Sequence, residues 1–255
     1  MSGRILVIPA AGLGSRLGAA VPKLLVPVGG VPMIDRLKNL YDHAVAHIVL
    51  IVQPSVEADV RQHVAGWALP VSCAVQERPT GMLDAIMLGM DAVRAGGRDS
   101  VWITWCDQVA VHPATVRRLA ETTSARPQAA LVMPTVQRRT PYIHLHRGPT
   151  GRIVQVLHRR EGDRMPEQGE SDMGLFALSA RAYLELLPQY ARDTEIGHVT
   201  GERNFLPFIP WVAAQHEVIT FPSIDEMEAV GVNTPEELVL VERYLAGRDG
   251  LRTQT

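Results

Sequence analysis

"IPAAGLGSRLGAAVPKLLVPVGG", residues 8–30, decides how the rest of the chain is read. An apolar run over 4–10 leads straight into Gly12 and Gly14. A glycine-rich turn after a strand can aim backbone N–H groups at a phosphate, because no Cβ blocks close approach. Three phosphate sites begin this way. A dinucleotide turn needs a helix starting inside the glycines, with an acidic residue about 20 positions on, and Asp35 stands near there. Pro22, Pro27 and Pro32 each remove a helix donor, however, and the first two fall where that helix would run. A Walker A loop ends in Gly-Lys-Ser or Gly-Lys-Thr, a string that does not follow here. A longer, mostly non-helical loop around a triphosphate uses the remaining residues: Arg16 forks onto phosphate oxygens, Lys23 brings a point charge, and Pro22 stiffens the chain before it.

Outward from this loop, short apolar runs read as strands at 4–10, 47–53, 71–77, 100–107 and 129–136. Most are continuous rather than alternating, as expected of strands covered on both faces. Helical patterns fall between them at 32–46, 55–67, 80–95 and 112–123. Strand and helix alternate, so the first half reads as a doubly wound α/β sheet. In the second half, 142–147, 152–159, 173–179 and 216–222 read as strands, and 203–214 and 234–247 as helices. Thr234 is an N-cap residue before Pro235 at the first helical position.

Bulk properties narrow the function classes. The 255 residues are enough to bury a large core without staples. A formal net charge of −2 gives no electrostatic reason to expect nucleic acid or an anionic membrane as partner. Cys73 and Cys106 share no spacing that suggests a disulfide framework or a zinc site. No apolar stretch reaches the length of a membrane span, and the run after Arg4 is too short for a signal-peptide core, so a cytoplasmic location is expected.

The string "PAAGLGSRLGAAVPKLLVPVGGVPMIDR" resembles the signature of the sugar-phosphate nucleotidyltransferase superfamily, which includes uridylyltransferase domains, MobA-like proteins and cytidylyltransferases. The resemblance implies a three-layer, GT-A-like (Rossmann-like) α/β fold: a mixed, mostly parallel sheet with helices on both faces. It also implies an enzyme joining an NTP to a sugar phosphate or similar phosphate monoester, with release of pyrophosphate. One such domain is expected over 1–247, with a nucleotide half at 1–135, an acceptor half at 136–232, a C-terminal helix at 233–247 and a tail at 248–255. No left-handed β-helix repeat follows, so the likeness is to the transfer half of bifunctional relatives.

Further implications are local. Ala10, Ala11, Gly12, Gly14 and Ser15 would line the nucleotide phosphates, with Arg16 and Lys23 as the catalytic cations. Ala10-Ala11-Gly12 leans toward UTP or CTP. In "VQERPTGMLDA", Gln76 would bond a base edge and Gly81 would let the backbone approach it. Asp107, after the run at 100–107, and Asn233, in "VGVNTPEEL", would together hold Mg²⁺. Cys106 stands where glycine is usual and reads as a buried small hydrophobe. On the acceptor side Tyr142, Arg159 and Asp172 fall at the matching segments; Leu157 and Asp172 replace the usual glutamate and asparagine, which argues against an N-acetylhexosamine pocket. The implied partners are an NTP and a phosphorylated small molecule, with homo-oligomerisation left open. A noncatalytic nucleotide-binding regulator and an NAD(P)-dependent oxidoreductase are the alternatives.

Overall fold

A computed structural model describes residues 3–12, 17–18, 21–97 and 99–252. The parallel core begins with β1 (Arg4–Pro9), β4 (His47–Val52), β5 (Val71–Val75) and β6 (Ser100–Thr104). β1 lies between β6 and β4, and β5 pairs outside β4, all in parallel. Four of these strands' residues in a row, Ile5 to Ile8, are fully buried, as continuous apolar strands covered on both faces should be.

The sheet then turns mixed. β11 (Leu175–Ser179) runs antiparallel between β6 and β7 (Leu131–Arg139), β10 (Gln168–Asp172) pairs antiparallel to β7, and β12 (Val218–Pro222) pairs parallel to it. Two small antiparallel ribbons lie apart: β2 (Pro27–Val28) with β3 (Val31–Pro32), and β8 (Ile143–Arg147) with β9 (Ile153–His158).

Helices cover both faces, giving the expected three layers. On one face α1 (Met33–Tyr41), α2 (Glu57–Val64), α5 (Pro113–Ala125) and α8 (Pro235–Arg252) bury Leu37, Val60, Leu119 and Val241 against Trp102 and Val132. On the other, α3 (Met82–Met87), α4 (Met90–Gly96), α6 (Leu187–Asp193) and α7 (Phe208–Ala213) bury Leu83, Val93, Leu187 and Phe208 against Val7 and Phe176.

Four differences from the sequence reading have physical causes. The helix expected over 80–95 is two helices, broken at Leu88–Gly89, where the Tyr183 hydroxyl would lie 2.8 Å from any Cβ on Gly89. The helix expected over 203–214 starts only at Phe208, because the preceding segment pairs its backbone with residues 80–83. The last helix runs beyond 247 to Arg252. Strand β10 was hidden in the polar string Gln-Gly-Glu-Ser-Asp, which becomes a strand through pairing with β7. The dinucleotide reading also loses its support: after Pro22 the chain makes one 3₁₀ turn (Lys23–Leu25) and then the β2–β3 ribbon, with no helix across Pro22 and Pro27. Asp35 instead faces His63, Oδ2 to Nε2 2.9 Å.

Candidate active site

Three segments meet at the carboxyl ends of the central strands, the edge where open α/β sheets bind ligands. The first is the Pro-Lys turn. Pro22 is extended, and its carbonyl accepts the Leu25 N–H at 2.8 Å while Leu24 is buried. Lys23 is thus flanked by a fixed proline and an anchored leucine.

The second segment follows β6. Asp107 lies three residues beyond the end of that strand, on a turn in which the Gln108 N–H donates to the Trp105 carbonyl at 3.1 Å. Val109, Ala110 and Val111 are buried and hold the turn down. The third segment is "VGVN". The Val232 N–H donates to the Asp107 carbonyl at 3.2 Å, and the Asp107 carboxylate packs so closely on Gly231 that a Cβ there would sit 3.1 Å from its Cγ. Asn233 and Thr234 both donate backbone N–H groups to Glu237 Oε2, at 2.8 and 3.0 Å, while Thr234 Oγ1 accepts the Glu237 N–H at 3.3 Å. This reciprocal cap at the start of α8 fixes the backbone of Asn233.

The side chains converge. Lys23 Nζ donates to Asp107 Oδ2 at 2.7 Å and to Asn233 Oδ1 at 2.9 Å. The Lys23 and Asp107 side chains are only 12% and 13% exposed, so solvent screens this contact less than a surface ion pair. Two oxygen donors facing one cationic nitrogen are also the donor chemistry of a hard divalent cation, which takes one or two carboxylates and completes its shell with water and phosphate oxygens. Among the described residues, no group of three histidine, cysteine or acidic side chains forms a metal cluster.

Beside this trio, burial pushes the Cys106 thiol up to about 12, so it is a neutral filler at working pH. One residue that the sequence reading missed ties the second and third segments together. Glu228 is fully buried; its Oε2 accepts the His112 N–H at 2.8 Å, and its Oε1 accepts those of Ile224 and Asp225 at 2.8 and 3.0 Å. The one local signal for it is the Asp225-to-Glu228 spacing, which forms a capping box in the structure.

On the nucleotide side, Ala10 and Ala11 are buried, Gly12 is exposed, and the Ala10 N–H donates to the Ile51 carbonyl at 2.7 Å. Gly14, Ser15 and Arg16 lie outside the described residues. Gln76 and Gly81 are brought together: Gln76 Nε2 donates to the Gly81 carbonyl at 3.2 Å. Gly81 has φ +123°, and a Cβ there would collide with the backbone of Arg203. The glycine is therefore required by a close backbone crossing with the chain behind it. Arg203, also missed, continues that crossing with an ion pair to Asp84 at 2.8 Å.

The acceptor-side residues fall on separate supports. Tyr142 and Arg159 flank the β8–β9 ribbon; the tyrosine ring stands edge-on to His158. Arg159 donates to the carbonyls of Thr140 and Pro141 at 3.0 and 3.1 Å, so part of its donor set holds a turn. That turn contains Thr140 at φ +46°, a left-handed conformation that strains a β-branched residue. Asp172 ends β10, is 8% exposed, and accepts the Gly174 N–H at 2.9 Å; burial raises its pKa to about 6. A cavity of about 790 Å³ lined by Arg4, Asp99 and Ser100 lies at the opposite, N-terminal ends of β1 and β6, away from these side chains.

Comparison with known proteins gives the family. The MobA-like NTP transferase domain model matches residues 6–200. Bifunctional protein GlmU of Kineococcus radiotolerans is 28% identical over 237 residues, covering 91% of this chain and 47% of the relative. GlmU of Rhodospirillum rubrum is 26% identical over 245 residues, covering 95% and 53%. The chain thus spans about half the length of the curated relatives it matches. A solved structure assigned as a glucose-1-phosphate thymidylyltransferase of Bacillus anthracis, in complex with a sucrose, superposes with a TM-score of 0.75 over 94% of both chains, at 16% identity. That likeness is one of fold.

Proposed function

The chain belongs to the MobA-like NTP transferase family, and from that membership we propose that it transfers a nucleoside monophosphate from an NTP to a sugar phosphate or similar phosphate monoester. The observation that carries this reading is the meeting of Lys23, Asp107 and Asn233, which are 84 and 210 residues from the lysine in sequence. Relatedness to the GlmU proteins supports it in kind. UTP or CTP is the favoured donor, from the resemblance carried by Ala10-Ala11-Gly12. NTP substrates would place the reaction in the cytoplasm.

The chemistry is an in-line displacement. An oxygen of the acceptor phosphate bonds to the α-phosphorus, the bond from that phosphorus to the bridging oxygen breaks, and pyrophosphate leaves with the electron pair. The acceptor phosphate is already an anion, so no general base is needed. The obstacle is the approach of two anions and the charge gathering on the leaving group. Lys23 meets the first, since its ammonium is held at the strand ends before substrate arrives. Arg16 and the N–H groups of the glycine loop would hold the departing phosphates. Asp107 and Asn233 would hold Mg²⁺, their two oxygens having the hard-donor chemistry it needs. Bound there, such an ion would supply charge neutralisation. Glu228 and Glu237 keep the backbone on which those two ligands sit in place. Gln76 and Gly81 would face the base, and Tyr142, Arg159 and Asp172 the acceptor.

The test is pyrophosphate release from UTP, CTP, ATP, GTP and dTTP against glucose 1-phosphate, N-acetylglucosamine 1-phosphate and glycerol 3-phosphate, with and without Mg²⁺. Mg²⁺-dependent release with a pyrimidine nucleotide is expected. Nucleotide binding without release for every pair would leave the regulator reading standing instead.

A further inference from the structure

We infer that Glu161 is a positioning residue of the transfer: its carboxylate ties the end of the β8–β9 ribbon, on the acceptor side, to the segment that crosses behind the base-side turn at Gly81. The inference rests on the transfer reading above and adds to it a residue that touches neither substrate.

Glu161 ends a 3₁₀ turn (Arg159–Glu161) that directly follows β9. The turn is fastened to the ribbon: the Arg159 N–H donates to the Tyr142 carbonyl at 3.1 Å, and the His158 N–H to Asp163 Oδ2 at 2.7 Å. From there the Glu161 carboxylate reaches across to a distant segment. Its Oε2 accepts the Val199 N–H at 3.0 Å, and its Oε1 accepts the Thr200 hydroxyl and, at 3.1 Å, Asn204 Nδ2. Gly197 makes room for it, since a Cβ there would stand 2.5 Å from Glu161 Oε1. An ion pair from Arg160 Nη2 to Glu202 Oε1, at 3.6 Å, joins the same two segments. Hydrogen bonds to the ionised form hold the Glu161 carboxyl down at about 2, so the tie stays charged at working pH.

The far segment is bonded to itself and to the base side. The Gly197 N–H donates to the Glu202 carbonyl and the Gly201 N–H to the Gly197 carbonyl, both at 2.9 Å. Next to Asn204, the Arg203 N–H donates to the Thr80 carbonyl at 2.9 Å, and the Arg203 carbonyl accepts the Leu83 N–H at 3.0 Å. Between those two bonds sits Gly81, whose carbonyl holds Gln76. One run of hydrogen bonds and backbone thus leads from Tyr142 and Arg159 to Gly81 and Gln76, and Glu161 is its link between the two sides. In-line attack needs the acceptor phosphate and the α-phosphorus held in register, and a misplacement of about 1 Å can cost about 100-fold in rate.

Steady-state pyrophosphate release on the intact chain tests this, with the donor and acceptor of the panel above that turn over best as probes. Glu161→Ala should lower kcat about 10–100-fold and leave both KM values within about twofold, because register matters only when both substrates are in line. A merely structural role would not produce that split. Glu161→Gln keeps an oxygen for the Val199 N–H and the Thr200 hydroxyl, and should recover most of the rate. Gly197→Ala crowds the carboxylate from the other side, should lower kcat likewise, and serves as the test should Glu161→Ala fold poorly. The double variant should be no slower than the slower single one, since both changes act on one contact. An unchanged kcat in the folded variants, a loss that falls on either KM instead, or additive losses in the double variant overturns the inference while leaving the transferase reading intact. No release from the wild-type chain with any donor and acceptor pair overturns both.

Discussion

Lys23 Nζ stands 2.7 Å from Asp107 Oδ2, and the same ammonium reaches Asn233 Oδ1 at 2.9 Å. The pair of oxygens proposed to hold a divalent ion thus faces a lysine cation in the unliganded chain. Ammonium and metal would compete for the same electron pairs. Ion entry would release Lys23 toward the phosphates. Lys23→Met should lower the transfer rate about 10²–10³-fold, as loss of one preorganised charge does. In the absence of nucleotide it should tighten Mn²⁺ binding about tenfold, because a neighbouring like charge is removed. Mn²⁺ titration followed by electron paramagnetic resonance reads the second effect, and weaker binding would refute the competition.

Asp107→Ala should cut turnover by a similar 10²–10³-fold while the fold persists. The carboxylate is only 13% exposed and hydrogen-bonded to a cation, so its loss should cost about 2 kcal/mol, a Tm change of about 4–8 °C. Rate and melting temperature measured on one preparation separate the two effects. Wild-type turnover in a folded variant would count against the metal assignment.

Glu228→Ala removes a fully buried carboxylate from three backbone N–H groups on two loops. Hydrogen bonds to a charged group and the donors left unmet predict a loss of about 3 kcal/mol in urea unfolding. Since those loops carry Asp107 and Asn233, Mn²⁺ affinity should fall as well. A variant as stable as the parent would show that water replaces the carboxylate.

Asp172 gives a pH dependence with a definite sign. Its folded pKa, about 6, exceeds the ordinary 3.8 of an aspartate because burial disfavours the charge. The folded chain holds the proton more tightly, so this group favours folding below about pH 4, and that contribution is lost between pH 4 and 6. Asp172→Asn should therefore be the more stable protein at pH 7, by roughly 2–3 kcal/mol, and should lack the slope between pH 4 and 6. Urea midpoints across pH 3–8 measure both. Equal pH profiles would mean that Asp172 is not charged in isolation.

Gly81→Ala should destabilise by about 2–4 kcal/mol, from a Cβ at positive φ forced into the Arg203 backbone. NTP affinity should fall with it, since Gln76 and α3 hang on the same turn. Urea unfolding and nucleotide titration check the two parts.

The sequence by itself determined the alternation of buried strands and amphipathic helices, the non-helical character of the 22–32 segment, and the carboxylate placed just past a central strand. Each follows from interactions within a few residues: apolar periodicity, proline's missing donor, and a cap at Thr234. The polar strand β10, the break at Gly89, and the partners of Glu228 and Arg203 were decided only by the tertiary structure. Their causes are contacts with distant segments, the β7 edge, the Tyr183 hydroxyl, the His112 backbone and the crossing at Gly81. No local pattern encodes such contacts, because they exist only once packing has brought sequence-distant chain segments within hydrogen-bonding reach.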